Sequence, residues 1–315
     1  MNEFAERIER DYPVRHKEKE KVNFRTWLVH TLKELGYSPR LEGGTSALTM
    51  GGNMTNVVVG DIERAKIVLA AHYDTGVREI LPPLLCPTRP ATFLLYQALF
   101  PFFVIAVSFL VSFGVTFALN LPNMTLPLFL LFLIVALFYP KYGKSERDNL
   151  NDNTSGVVAL LEVAKTLTPR YRGEVCFLFL DGSTQASKGA KGLVRAHPEL
   201  KKKSVIVLDC VGEGDELLIL PGRTSRWNDS LLDTILENFS NSEKKTCFLK
   251  TDGLVYYPSD NRAFAGGTAI CACKTVKGFG RCILPRRAKE IDEENLSLLC
   301  DGLCKLVTYY RPQNA

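Results

Sequence analysis

Between Arg89 and Lys141 the chain runs for 51 residues, 90 to 140, without one Asp, Glu, Lys, Arg or His. A surface helix of a soluble domain does not read this way, because its water-facing positions need polar side chains. The block divides into two apolar runs, Thr92 to Leu119 and Leu126 to Tyr139, around Asn120-Leu-Pro-Asn-Met-Thr125, whose Asn and Pro suit a turn. A spanning helix needs about 20 apolar residues. The first run meets that length, and the second does once its flank from Leu121 is counted. A pair of buried core helices is the alternative, but core helices usually keep a polar stripe and these have none. The sequence therefore predicts a two-helix transmembrane hairpin, residues 90–140, inserted into one discontinuous globular domain made of residues 1–89 and 141–315.

The flanks orient the hairpin. Arg78 and Arg89 precede it, Lys141, Lys144 and Arg147 follow it, and the connecting turn has no basic residue. By the positive-inside rule the domain and both termini face the cytoplasm. The opening MNEFAERIERDYPVRHKEKEK has no apolar core and does not read as a signal peptide. Nine cysteines, an odd number without small-domain disulfide spacing, suit a reducing compartment. There a sequon such as Asn53-Met-Thr55 carries no meaning. Outside the block, 264 of the 315 residues remain, enough for one large domain with a sizeable core. With 39 basic against 34 acidic side chains and a net charge of +5, the chain is neither disordered nor basic enough to argue for nucleic-acid binding.

Residues 1–37 carry a helical pattern, charged up to Lys21 and apolar after it at Phe24, Trp27, Leu28, Leu32 and Leu35, with Gly36 as a stop. The charged stretch is expected to be a solvated face, within reach of anionic lipid. Strands are expected at 55–59, 66–71, 174–180, 204–208, 216–220 and 268–274. Helices are expected at 155–167, 230–239 and 293–309. Apolar strands alternating with helices predict an α/β domain with a mixed, mostly parallel sheet flanked by helices.

In such sheets ligands bind beyond the carboxyl ends of the strands. Three strands here run into polar residues at that end: Ala71 into His72-Tyr73-Asp74, Leu180 into Asp181-Gly182, and Leu208 into Asp209. A fourth carboxylate, Asp152, lies in Asn149-Leu-Asn-Asp-Asn-Thr-Ser-Gly156 before a helix. One imidazole among several carboxylates suits a divalent metal. Structural alternatives exist for each: Asp152 as a helix cap, Asp181-Gly182 as a plain turn, His72 as a hydrogen-bonded structural residue. Asp209 is harder to dismiss, since a carboxylate after Val-Ile-Val-Leu is costly to bury unless something binds it.

Five segments in order, Ala70-Ala-His-Tyr-Asp-Thr75, Asn151-Asp-Asn-Thr-Ser-Gly156, Phe179-Leu-Asp-Gly182, Val207-Leu-Asp-Cys-Val-Gly212 and Tyr257-Pro-Ser-Asp260, make the chain resemble the clan MH di-zinc exopeptidases. That group includes bacterial leucyl aminopeptidases, glutamate carboxypeptidase and glutaminyl cyclase, with transferrin receptor as a non-catalytic relative. The resemblance covers nearly everything outside the hairpin. It implies a zinc-exopeptidase-like (phosphorylase/hydrolase-like) fold and a two-zinc site with a Glu as general base. It makes His72 a ligand, Asp152 the bridging ligand, Asp209 the ligand completing the His72 metal, and Asp74 the carboxylate that orients His72, with Asp181 and Asp260 in the pocket.

The departures decide what is expected. Where the family has Glu-Glu, base and then ligand, this chain has Ser183 and Thr184; where it has the second His ligand, it has Ile283. The four histidines are His16, His30, His72 and His197, so none follows Asp260. One zinc at most is expected, or none. The leading expectation is a membrane-anchored, catalytically degenerate domain that binds a peptide or a membrane-protein partner. The alternative is an active metallo-aminopeptidase or related hydrolase with a remodelled single-metal site, in which Cys282 ligates and Glu213 acts as base, with Cys210, Cys271 and Cys273 nearby. A third possibility is a structural membrane subunit whose domain is a scaffold.

Overall fold

The strands nearest the centre are almost pure Val, Ile, Leu, Ala and Phe. The computed structural model, which describes residues 2–44, 54–78, 85–283 and 290–312, buries them on both faces. Asn53 and Pro285 lie outside the described residues. The chain begins with α1 (Glu3–Asp11) and α2 (Glu18–Glu34), followed by β1 (Pro39–Gly44), β2 (Met54–Val59) and β3 (Ile67–His72). After the apolar helices α3 (Pro90–Ala118) and α4 (Thr125–Tyr142) come α5 (Ser155–Thr166), β4 (Val175–Leu180), α6 (Lys188–Ala196), β5 (Ser204–Leu208) and β6 (Glu216–Pro221). The remainder is α7 (Asp229–Asn238), β7 (Thr246–Leu249), β8 (Gly266–Val276), β9 (Gly280–Cys282) and α8 (Glu293–Tyr309).

One mixed sheet holds all the strands, in the order β1-β2-β4-β3-β5-β8-β6-β7, with β9 paired to β8. The four middle strands, β4, β3, β5 and β8, are mutually parallel; β1, β2, β6 and β9 enter antiparallel. Period-two alternation sends Ile67, Leu69, Phe177, Phe179, Ile206 and Leu208 to one face, under α1, α2, α5, α7 and α8. Val68, Ala70, Leu178, Val205 and Val207 face the other side, against α6.

The two apolar runs form helices with mean hydropathy 2.4 and 1.9, long and apolar enough to cross a membrane, and only 11% and 0% of their apolar windows are buried. Core helices of a soluble domain would be mostly covered, whereas these two are mostly exposed. The two helices pack on each other along Ser108, Ser112 and Thr116 of α3, the spacing of one helix face. The Ser112 hydroxyl donates to Ser108 O at 2.7 Å, and Thr116 Oγ1 lies 2.7 Å from Thr125 Oγ1 at the start of α4.

The N-terminal segment differs from expectation. It is two helices rather than one, because Pro13 in the link lacks the N–H a continuous helix needs. Its charged stretch is also not simply a solvated face: Arg15, Lys21 and Arg25 are buried.

Candidate metal centre

Two parallel strand ends and one loop converge to form the centre. His72 ends β3, Asp209 follows β5, and Asp152 sits in the loop before α5. That loop is pinned by the residues that alternate with Asp152. The Asn151 side chain accepts from Gly212 N at 2.8 Å, the Asn153 side chain accepts from Cys210 N at 3.1 Å and donates to Leu208 O at 2.8 Å, and Ser155 Oγ accepts from Val211 N at 3.1 Å. Three side chains thereby occupy the backbone just beyond Leu208 and leave the Asp152 carboxylate turned to the site. Asp152 has non-helical backbone angles and caps nothing; the helix begins at Ser155. Cys210, with φ of 55°, takes the left-handed conformation that carries the chain away from Asp209, and Asn153 holds it there.

His72 Nε2 lies 3.5 Å from Asp152 Oδ1 and 3.7 Å from Asp209 Oδ1, and one donor atom from each residue falls within 4.8 Å of the others. A tetrahedral zinc with arms of about 2.0–2.2 Å sets its donors roughly 3.3–3.6 Å apart, so the three fit one ion. His72 and Asp209 are buried, whereas the Asp152 side chain is 40% exposed, which leaves an open side for water or ligand. Among the described residues no other His, Cys, Asp or Glu joins this group. Of the residues outside the description, only Glu79 has such a side chain.

Without a metal, the carboxylates govern the protonation of the imidazole. Burial alone would push the His72 imidazole down, but the facing carboxylates of Asp152, Asp209 and Asp74 outweigh it and hold its pKa well above the ordinary value. Burial likewise opposes the ionised form of Asp209, and His72 overrides it, drawing the carboxyl below its usual range. A fully buried Asp260 stands near this set with neither oxygen hydrogen-bonded; burial, together with Asp74 and Asp209, raises it to about 6 against the opposing pull of His72.

The remaining site positions are placed as follows. Asp74 meets His72 Nδ1 through its backbone carbonyl at 3.2 Å, with the carboxylate at 3.7 Å. That carboxylate is instead occupied by the turn after β4: Ser183 N donates at 3.0 Å, Thr184 N at 3.2 Å and the Thr184 hydroxyl at 2.8 Å. Burial would raise Asp74, but His72 and these donors bring it down to about 2. Ile283 is buried among Leu85, Cys210 and Tyr257, so apolar packing fills its position. The Cys282 thiol lies 2.8 Å from that of Cys86, and Glu213 is paired with Lys274 at 2.7 Å. Asp181 accepts two contacts from Lys21 Nζ at 2.9 and 3.0 Å, which ties α2 to the end of β4.

Sequence reasoning missed Arg15. Its guanidinium donates to Tyr73 O, Tyr12 O, Asn149 and Thr154, bracing the turn after His72 against the Asp152 loop. Burial lowers it to about 10, while Asp74 and Asp152 act to keep it charged.

Residues 141–282 match the model of peptidase family M28. No curated protein sequence matches the chain. Among solved structures, a glutaminyl cyclase from Porphyromonas gingivalis superposes with a TM-score of 0.56 at 15% identity, covering 97% of this chain and 95% of that one. A zinc-dependent exopeptidase from Parabacteroides distasonis gives 0.56 at 12% identity, over 98% and 96%. A leucine aminopeptidase precursor from Bacteroides thetaiotaomicron gives 0.53 at 14%, over 98% and 95%. The family match begins where the second apolar helix ends and contains Asp152, Asp181 and Asp209, while the structural likeness extends to His72 and the N-terminal helices. The fold is therefore that of the di-zinc exopeptidases, carried by a chain whose residues 141–282 match peptidase family M28.

Proposed function

We propose that this chain is a membrane-anchored, zinc-exopeptidase-like domain that has lost peptidase chemistry and binds a peptide or a partner protein at what remains of its metal centre. One observation carries the reading. The residues after Asp181-Gly182 are Ser183 and Thr184, whose turn bonds to Asp74, so no carboxylate stands there to take a proton from an attacking water. A positioned base contributes about 10²–10⁴-fold, and a serine hydroxyl is not one at neutral pH. Thr184 and Ile283 likewise offer no carboxylate or imidazole to a second zinc. A single zinc held by His72, Asp152 and Asp209 would supply a Lewis acid that polarises a carbonyl. The chain's own part is to orient His72 through Asp74 O, to fix Asp152 with Asn151 and Asn153, and to leave Asp152 open to a ligand.

Anchoring rests on α3 and α4 as a spanning hairpin. The basic flanks Arg78, Arg89, Lys141, Lys144 and Arg147 support a cytoplasmic side for the domain, residues 1–89 and 141–315, and for both termini. The decisive experiment is purification of the full chain in detergent, followed by metal analysis and assay on aminoacyl and N-terminal glutaminyl peptides. The expected result is one zinc or none per chain and no turnover. Hydrolysis or cyclisation that vanishes with chelator and with His72→Ala would overturn the reading. It would favour the single-metal hydrolase, for which the three-donor set with one open side is the supporting observation.

A further inference from the structure

The two apolar helices are unequal. At about 1.5 Å per residue, the 29 residues of α3 reach about 43 Å and the 18 of α4 about 27 Å. A hydrocarbon core is about 30 Å thick, so α4 and the matching part of α3 account for it. The turn between them is short, so the first eleven residues of α3, from Pro90 to Phe100 and ending just before Pro101, exceed the length of α4. One side of this foot packs on the domain: Phe93 stacks on Tyr256 with ring centroids 5.3 Å apart, and Arg89 Nη1 donates to Gly278 O at 2.9 Å. Its other side exposes Leu94, Leu95, Leu99 and Phe100.

The domain surface touching the foot is apolar and basic too. Leu254, two residues before Tyr256, is 76% exposed, and Phe279, beside Gly278, is 43% exposed. Val276 and Lys277 complete the turn between β8 and β9, with Lys277 and Arg89 open to solvent. Neighbouring acids are already matched: Asp252 pairs with Lys250 at 2.8 Å and Glu216 with Arg281. Isolated exposed apolar residues mean little, but an apolar foot, apolar tips and cations without an acidic partner among the described residues, at one place, describe an interface with a bilayer surface.

We infer that the outer face of Pro90–Phe100, Leu254 and the Val276–Gly280 turn, with Arg89 and Lys277, rests on anionic phospholipid headgroups. This rests on the reading of α3 and α4 as membrane-spanning. It places the metal centre at the membrane surface, because both feet of the hairpin touch the segments that hold it. Beside α4, Tyr139 OH donates to Arg78 O at 2.6 Å, and Gly76–Arg78 pairs with Lys144–Glu146 only two residues after Asp74. Beside α3, Tyr256 is followed by Tyr257, whose hydroxyl donates to Asp209 O at 3.4 Å. The ligand the centre receives is then a membrane-associated chain rather than one diffusing freely.

Hydrogen–deuterium exchange of the full chain tests this, in detergent, in phosphatidylcholine nanodiscs and in nanodiscs containing phosphatidylglycerol. Attraction of about 1 kcal/mol for each of Arg89 and Lys277 to an anionic surface, about 2 kcal/mol together, corresponds to exchange at 253–256 and 276–280 roughly thirtyfold slower in phosphatidylglycerol discs than in detergent. Lys277→Glu with Phe279→Ser is expected to abolish that slowing while residues 102–118 and 126–139 stay protected. Protected helices with unchanged exchange at 276–280 would overturn this inference alone. Equal slowing in neutral discs would overturn its charge component. Helices that exchange as fast as loops would remove the spanning reading beneath it.

Discussion

Lys21→Met is expected to cost this domain about 3 kcal/mol, although the replaced residue lies in a stretch that reads as solvent-facing. Lys21 Nζ meets both carboxylate oxygens of Asp181 at 2.9 and 3.0 Å, the Asp181 side chain has no solvent exposure, and only Thr55 N at 3.1 Å and Arg25 at 3.6 Å would remain to it. Removing one partner of a buried pair typically costs about 3–5 kcal/mol, and the two surviving contacts argue for the lower end. At about 2–4 °C per kcal/mol for a domain of this size, the melting temperature should fall by about 6–12 °C. The loss should also depend on pH. Burial and the nearby Asp74 already outweigh Lys21 and raise the Asp181 pKa in the folded state, and losing Lys21 raises it further. A carboxyl with a raised folded pKa binds its proton more tightly when folded, so stability is regained as pH falls through that value, by about 1.4 kcal/mol per unit. The deficit of Lys21→Met against the parent should therefore be larger at pH 7.5 than at pH 5. Adding Asp181→Asn, which removes the charge but keeps an acceptor for Thr55, should recover at least half of it. Thermal unfolding at matched scan rates measures all three. A shift below about 2 °C for the single change, or a double variant no better than the single, would refute the account of a charge held in the core by one lysine.

Three further outcomes follow from the geometry. Where the parent carries its one zinc, Cys282→Ser should leave that content unchanged by elemental analysis, because its thiol faces Cys86 and not His72, whereas His72→Ala should abolish it. A Cβ added at Gly156 would stand 2.6 Å from the Asn153 amide and 2.8 Å from Leu208 O, so Gly156→Ala should disturb the clamp that brings Asp152 to Asp209 and weaken zinc binding about 10–100-fold by titration. His197 bridges Glu42 at 2.6 Å and Glu199 at 3.1 Å; partial burial works against its proton, but the two acids prevail and raise its pKa. Its contribution, about 1 kcal/mol at this half-buried site, is thus complete below about pH 6.5 and lost as pH rises through the folded value. The stability gap between the parent and His197→Gln should close on alkaline titration.

What could be read from the sequence, and what could not, follows from where each residue's environment is encoded. Runs such as Ile67-Val-Leu-Ala-Ala and Val205-Ile-Val-Leu declare their burial locally, so the central strands were legible, and His72, Asp181 and Asp209 stood out as the polar residues ending them. Edge elements carry no such declaration: β1 is Pro-Arg-Leu-Glu-Gly-Gly, β7 is four residues long, and α6 contains two glycines that weaken any helical pattern. The buried cations were hidden for a different reason. Lys21 sits among lysines and glutamates, and beyond its helix neighbour Glu18 it meets Asp181, 160 residues away, just as Arg15 is held by Thr154, 139 residues away. Charge patterning along one helix cannot report a partner at that separation, because the cost of burying an ammonium is offset across the fold and not within the segment. The same logic governs the centre itself. Taken alone, Asp152 could equally cap the helix, because Asn, Asp, Thr and Ser are all good caps. Only the strand end at 208–212, supplying three backbone N–H groups to Asn151, Asn153 and Ser155, makes Asp152 the residue left over to face His72.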